Sequence, residues 1–416
     1  MRVLFTVSGW QGHYYCMVPL GWALQAAGHE VRVACPPAQT EAISRAGLTP
    51  VPVLDGPDVI TMGRMTLFID VLFGKRRTAP LHPFTGEPIR DPRAVDLESE
   101  APYFWEDAAA AVRHSCDGAV EFARWWQPDL VVHDVMAVEG ALAAAVQGVP
   151  SVYFGPGLFG AVESDPGLDL RPGDPVAAFD DYGVGPWSRD DIQHMIDPSP
   201  DSVIPPLGSA TRLPVRYVPY NGPGSLPTWA ATPSGRRRIC VLWGNSATGL
   251  FGTEVPALRH AIDAAAAQDA EVLLMAGAAQ VDALGPLPPG VRPLRNFPLH
   301  LLLDSCDAIV HHGSDNCYLN AAAKGIPQVG LGLSSDQLTY GDRMTATGAA
   351  LALSGFEASR EEIGDAVRRV LTEPAFRTSA ERLRAEVAQN PAPADLVGQL
   401  VELAETGRPL RTGKAL

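Results

Sequence analysis

Apolar and polar positions along this chain switch repeatedly between short apolar runs and helical spacing. Val3 to Val7 is a short apolar run, Met17 to Ala27 carries apolar residues at helical intervals, and Val31 to Ala34 is apolar again. The pattern predicts strand, helix, strand, with Gly28 stopping the helix. Further on, Ala101 to Trp126 reads as one or two helices, Leu130 to Val132 as a strand, Ala137 to Val146 as a helix and Ser151 to Phe154 as a strand. Short strands alternating with helices predict an α/β fold with a parallel, doubly wound sheet.

Between 155 and 214 the rhythm breaks into sequence rich in Pro, Gly and Asp, which predicts long surface loops and short helices rather than a second sheet. The alternation then resumes. Strands are expected near 239–242, 271–275, 308–311 and 327–331, separated by helical stretches such as Pro256 to Ala267, and the C-terminal stretch reads as helices broken at Pro391 and Pro393. The expected organisation is a domain over 1–215, a linker over 216–238, a second and similar domain over 239–390, and a helical tail over 391–416 that packs back toward the first domain.

Length and composition support two cores. The chain has 416 residues, 46% hydrophobic and 19% charged, which exceeds one ordinary core and leaves little room for long disorder. Its formal net charge of −15 opposes attraction to nucleic acid or anionic membrane, so any phosphate must be held at a local site. No apolar run approaches the roughly 20 residues that cross a bilayer, and the start MRVLFTV lacks signal-peptide character, so a cytoplasmic protein is expected. Cysteines at 16, 35, 116, 240, 306 and 317 form no C-x-x-C pair and are expected to be reduced. No D-x-D triplet is present, which favours chemistry without a metal, and no cofactor is expected.

Candidate chemistry falls at the ends of predicted strands. Gly9-Trp10-Gln11-Gly12-His13 follows the first strand, and a histidine there can accept a proton from an acceptor hydroxyl, or else merely cap the helix that follows. Asp134 follows strand 130–132 and can orient that histidine, or else cap the following helix. His311-His312-Gly313-Ser314-Asp315-Asn316 follows strand 308–311 and opens a helix, whose unpaired N–H groups and dipole suit a phosphate. Asp336 and Gln337, after strand 327–331, combine an acceptor-only group with an amide and suit sugar hydroxyls, or else cap a helix. Gly244-Asn245-Ser246 is a third small polar turn at the same edge.

Together these segments resemble the nucleotide-sugar glycosyltransferases of the GT-B fold, in particular the actinomycete enzymes that attach deoxysugars to macrolide and anthracycline antibiotics. The resemblance covers essentially the whole chain and is carried most specifically by Val18 to Leu24 with Ala27 to Val31, Gly185 to Ser188, Arg216 to Gly224, and the block 291–343. It implies two Rossmann-like, doubly wound domains facing a cleft, and inverting transfer from a dTDP-deoxysugar to a natural-product aglycone. His13 matches the catalytic base and Asp134 its acidic partner; His311 matches the histidine that contacts the pyrophosphate, and Asp336 and Gln337 the pair that holds the sugar. Gly244, Asn245, Ser246, Phe297, Gly313, Ser314 and Asn316 complete the expected donor site, with Trp10 and Gln11 toward the acceptor.

Two departures from the family pattern matter. Many relatives carry H-H-G-G-A-G-T at the turn, whereas this chain has Ser314-Asp315-Asn316-Cys317, and a carboxylate beside a diphosphate repels it unless Asp315 points away. Asn296 stands where relatives place an aromatic ring near the base, leaving Phe297 to pack there or its backbone to pair with the base. The resemblance also implies a helper protein related to haem-less cytochrome P450, with a docking surface within 57–126, and a homodimer. Two rivals are a non-catalytic accessory subunit of the same fold and a sugar-nucleotide epimerase; a dinucleotide oxidoreductase is disfavoured because no strand is followed by G-x-G-x-x-G.

Overall fold

The computed structural model describes residues 1–56, 58–74, 80–163, 174, 176–230 and 235–408. Residues 75–79 of the expected docking region, 231–234 of the expected linker and 409–416 of the expected tail lie outside the described residues. The chain divides into two compact units, one of Met1–Pro57, Tyr103–Pro223 and Glu386–Leu416, the other of Asp58–Pro102 and Gly224–Ala385.

The first unit is built on a seven-stranded sheet of β1 (Arg2–Thr6), β2 (Glu30–Ala34), β3 (Thr49–Val51), β4 (Leu130–His133), β5 (Ser151–Phe154), β6 (His194–Asp197) and β7 (Thr211–Pro214). The order is β3-β2-β1-β4-β5-β6-β7 and every pairing is parallel, with Val3 opposite both Val31 and Leu130. The second unit holds β8 (Arg237–Trp243), β9 (Ala270–Ala276), β10 (Val291–Arg295), β11 (Ala308–His311), β12 (Gln328–Gly332) and β13 (Ala350–Ser354). Their order is β10-β9-β8-β11-β12-β13, again all parallel, with Ile309 opposite both Cys240 and Gln328. Each unit is therefore a Rossmann-like doubly wound domain.

Buried strands explain the continuous apolar runs. Val3, Phe5 and Val132 pack with Met17, Leu20 and Leu24 of helix Gln11–Ala26 in the first core, and Val241, Leu274 and Val310 pack with Leu258 and Ile262 in the second. Each such side chain contributes roughly 1.5–3 kcal/mol relative to exposure. Leu396, Val397, Leu400 and Leu403 of helix Pro393–Thr406 complete the first core, and Arg216 N–H donates to the Pro391 carbonyl at 2.7 Å.

Between 155 and 214 the described residues hold the expected loops and short helices, such as Ala178–Asp181, and no second sheet, but two strands that were not expected, β6 and β7, extend the first sheet. β6 is wholly buried despite its polar ends, so it shows no alternation. Its Asp197 carboxylate is held by Arg212 Nε at 2.7 Å, a pairing invisible to local pattern. Three more strands without a clear sequence signal, β3, β10 and β13, are sheet edges, and β3 and β10 contain Pro50 and Pro293, which an edge tolerates.

Segment 58–102 belongs to the second unit, although it interrupts the first along the sequence. Its helix Val59–Leu72 lies against helix Asn245–Phe251, where Arg64 Nε donates to the Gly249 carbonyl at 2.7 Å. Gly63 makes the approach possible, since a Cβ there would meet Leu250 Cδ2 at 2.5 Å. Among the described residues, no helix is long and apolar enough to cross a membrane, and all six cysteines are free thiols.

Candidate functional site

In each sheet the winding direction reverses beside the first strand, between β1 and β4 and between β8 and β11. The loops leaving those paired strands run apart and open a crevice at their carboxyl ends. His13 follows β1 and Asp134 follows β4; Gly244 to Ser246 follow β8, and the 311–316 turn follows β11. These four segments thus fall at two switch points, one in each unit, while Phe297 follows β10 and Asp336 and Gln337 follow β12.

In the first unit the helix begins at Gln11 rather than near Met17, so His13 stands in its first turn instead of on a preceding loop. Gln11, Gly12 and His13 are not buried, and a solvent-facing first turn carries no apolar signal. Trp10 is the residue before the helix, half-buried, its ring centroid 6.4 Å from the His13 ring, while Gln11 is exposed.

Asp134 is 1% exposed and tightly held. Its Oδ2 accepts from both the N–H and the hydroxyl of Ser8 at 2.7 Å, and its Oδ1 accepts from Met136 N–H at 2.7 Å. The same Oδ2 lies 4.0 Å from His13 Nδ1, beyond a direct hydrogen bond but near enough to stabilise an imidazolium. Helix Val138–Gln147 has Ala137 at its N-cap, so Asp134 closes the preceding turn and does not cap the helix. Gly140 brings that helix onto the sheet, since a Cβ there would lie 2.0 Å from Thr6 Oγ1.

Two neighbours gave no sequence signal. Gln39 Nε2 donates to the Gly9 carbonyl at 2.7 Å and braces the loop before His13. Glu139 is buried five positions after Asp134, and burial, with the Asp134 charge added, pushes its carboxyl up to about 7.

In the second unit His311 is fully buried. Its Nδ1 accepts from Gly313 N–H at 3.1 Å and its Nε2 donates to Gln328 Oε1 at 3.1 Å, while the ring stands edge-on to Tyr318. Burial and the neighbouring His312 push it down to about 3, against the hydrogen bond to Gln328, which raises it, and leave it neutral. Both ring nitrogens are thus engaged inside the fold, and the ring fixes the turn through Gly313. Gln328, which holds it, was missed because it lies within an apolar strand.

His312 projects to the other side of the strand end and joins two loops. Its Nδ1 accepts from Gly244 N–H at 3.2 Å, and burial pushes the ring down to about 4. Asn245 Nδ2 reaches Asn296 Oδ1 at 3.5 Å, and a Cβ at Gly277 would lie 2.4 Å from Asn245 Oδ1. The loops after β8, β9, β10 and β11 therefore converge. Asn296 itself has φ +49°, and Phe297 packs on the core beside Leu299 rather than standing free.

Gly313 adopts φ +82°, and a Cβ on it would meet Gly332 Cα at 2.9 Å, so the turn sits directly on the end of β12. Ser314 is the N-cap of helix Asp315–Lys324, its Oγ accepting from Cys317 N–H at 3.4 Å, and Asn316 is half-buried in the first turn. Helix Ser335–Ala346 starts two residues before Gln337, so Asp336 and Gln337 lie in its first turn and Ser334 is the N-cap. Gln337 Oε1 accepts from Leu333 N–H at 2.8 Å, and Asp336 is half-buried.

Asp315 is the departure that most changes the site. It is 8% exposed; its carboxyl accepts from the backbone N–H groups of Asn316 and of Asp315 itself, and burial with the charge of Asp336 pushes it up to about 7. The carboxyl thus occupies N–H groups of the helix N-terminus.

Comparison with known proteins places this geometry. The C-terminal domain model of the erythromycin biosynthesis protein CIII-like family matches residues 259–403, and its N-terminal domain model matches 22–75 and 107–244. The chain is similar to 10-deoxymethynolide desosaminyltransferase of Streptomyces venezuelae, at 36% identity over 98% of both chains. Among solved structures it resembles the spinosyn forosaminyltransferase SpnP, with a TM-score of 0.75 at 29% identity over 97% of this chain and 99% of that one. It also resembles the glycosyltransferase VinC in complex with dTDP, with a TM-score of 0.73 at 30% identity over 97% of this chain and 100% of that one.

Proposed function

The chain belongs to the erythromycin biosynthesis protein CIII-like family of GT-B glycosyltransferases, and from that membership we propose an inverting, metal-independent transfer in which the first unit activates the acceptor and the second holds the donor. It is a dTDP-sugar-dependent glycosyltransferase of the kind that acts on antibiotic aglycones. The observation that carries the mechanism is the location of both candidate sites at switch points, with His13 and Asp134 on β1 and β4 and the 311–316 turn on β11.

His13 takes the proton of the acceptor hydroxyl as the new bond forms, a step that contributes typically 10²–10⁴-fold. Asp134, anchored by Ser8 and Met136, stabilises the imidazolium without moving. Attack on the anomeric carbon opposite the departing diphosphate inverts its configuration. The leaving charge is received by the N-terminus of helix Asp315–Lys324, with Gly313, Ser314 and Asn316 presenting the turn, so no metal is needed. His311 acts on this step through Gly313, whose N–H it fixes.

Asp336 and the amide nitrogen of Gln337 hold the sugar hydroxyls, and Gly244, Asn245 and Ser246 close the donor site with Phe297 packed behind. Trp10 and Gln11 face the acceptor. The reading extends to a P450-like helper protein docking within 57–126 and to a homodimer.

A thermal-shift panel tests the donor assignment, because a ligand that binds only the folded protein raises the melting temperature. Protection by dTDP exceeding that by UDP, GDP and NAD is expected. Protection by none of them would overturn the donor site.

A further inference from the structure

Segment 58–102 comes from the first half of the chain, yet it packs on the helix that carries two of the expected donor residues. Helix Asn245–Phe251 begins with Asn245 and Ser246, is only seven residues long, and has Gly244 at its N-cap, with no side chain to cap it. A helix that short is not stable by itself, so tertiary contacts set its position. Gln280 supplies two of them, accepting from Thr248 Oγ1 at 3.1 Å and donating to the Thr253 carbonyl at 2.9 Å.

Segment 58–102 supplies more. Arg64 Nε donates to the Gly249 carbonyl at 2.7 Å, in the last turn of the helix, where carbonyls lack intrahelical partners and a cation offsets the dipole. Glycines on both helices allow the approach: a Cβ at Gly63 would meet Leu250 Cδ2 at 2.5 Å, and one at Gly249 would meet Ile60 Cδ1 at 3.0 Å. Gly252, at φ +80°, ends the helix against Leu81. Gly86 lays its backbone on the Arg64 guanidinium, since a Cβ there would lie 2.7 Å from Nη1 and 2.8 Å from both Cζ and Nη2. The segment therefore clasps this one short helix with its own helix and with the turn around Gly86.

We infer that Arg64 is a positioning residue of the donor site: through Gly249 it fixes helix Asn245–Phe251, and with it the Gly244–Ser246 turn. The inference rests on the reading that this turn closes the donor site. Gly249 stands about one turn, or 6 Å along the axis, from Asn245, so a shift at one end of so short a helix is carried to the other. At that other end Gly244 N–H is held by His312 and Asn245 reaches Asn296, which ties the helix to the loops after β11 and β10. An unbranched apolar side chain at 64 could still lie against the helix but would neither donate to Gly249 nor offset the dipole.

The test is calorimetric titration with dTDP of wild type, Arg64→Met, Arg64→Lys, Gly86→Ala and the double variant Arg64→Met with Gly86→Ala, each also followed through urea denaturation. Arg64→Met and Gly86→Ala are each expected to raise the dTDP dissociation constant about 10-fold. Arg64→Lys, which keeps the charge and a donor for a single acceptor, should stay within about threefold of wild type. The double variant should bind no more weakly than Arg64→Met alone, because both changes act through one guanidinium. A lowered urea midpoint with dTDP affinity unchanged makes Arg64 a purely structural residue and overturns the inference. Losses that add in the double variant, or a loss in Arg64→Lys as large as in Arg64→Met, overturn it as well. Failure of wild type to bind dTDP would remove the donor site itself, and the inference with it.

Discussion

Gly313→Ala probes the turn that joins β11 to its helix, and its cost can be worked from two contributions. At φ +82° an alanine is held in the left-handed region, at about 1–2 kcal/mol. Its Cβ would also lie 2.9 Å from Gly332 Cα and 3.1 Å from Gly332 N, both backbone atoms that cannot swing aside. Overpacking of this kind costs about 1–3 kcal/mol, so the total is about 2–5 kcal/mol. Gly290→Ala is the control: it has φ +84° in the same unit, with nothing within 4 Å of its Cβ, and should lose only the first contribution. Urea denaturation of the two variants followed by circular dichroism measures the difference, expected at about 1–3 kcal/mol. Gly313→Ala should also weaken dTDP binding, while Gly290→Ala should not. Equal destabilisation by the two substitutions would refute the claim that the turn is seated on the end of β12.

Three further outcomes follow from the same geometry. Asp134→Asn removes the charge 4.0 Å from His13 and should lower the transfer rate by about 10²–10⁴-fold with dTDP affinity unchanged; a rate within twofold of wild type contradicts the partnership. Gln328→Leu strands the Nε2–H of buried His311 and should destabilise by about 1–3 kcal/mol in chemical denaturation, so an unchanged midpoint contradicts the brace. Asp315 has a folded pKa of about 7 against 3.8 when free, so its contribution to stability is present below the lower value and lost as pH rises through the higher one. Asp315→Asn should therefore stabilise the fold more at about pH 8 than at about pH 5, and an equal gain at both would count against its burial. His311 runs the opposite way, its stabilising neutral state being lost as pH falls from 6.5 toward 3, and the substitution leaves that part of the profile in place.

The two-sheet architecture was legible because its central strands are buried on both faces and stand out as apolar runs before small polar turns. His13, Asp134 and the 311–316 turn were legible for the same reason: they follow those strands directly. Edge strands β3, β10 and β13 were not, because an edge needs no apolar continuity and two of them hold proline. Neither was β6, whose Asp197 looks like loop sequence until Arg212 is placed beside it. The direction of the His311 ring depends on Gln328, seventeen residues later, and no local spacing reports that contact. Likewise Gln39 and Glu139 act through neighbours on other elements. Where a residue stands was readable when it depends on its own strand end, and hidden when it depends on a partner.

The central claim is a division of labour, with proton removal at His13 in the first unit and dTDP held by the second. Measuring sugar transfer and dTDP affinity on one preparation of His13→Ala tests it directly. The account predicts that transfer is abolished while the dTDP dissociation constant stays at the wild-type value; normal turnover, or loss of dTDP binding together with transfer, would contradict it.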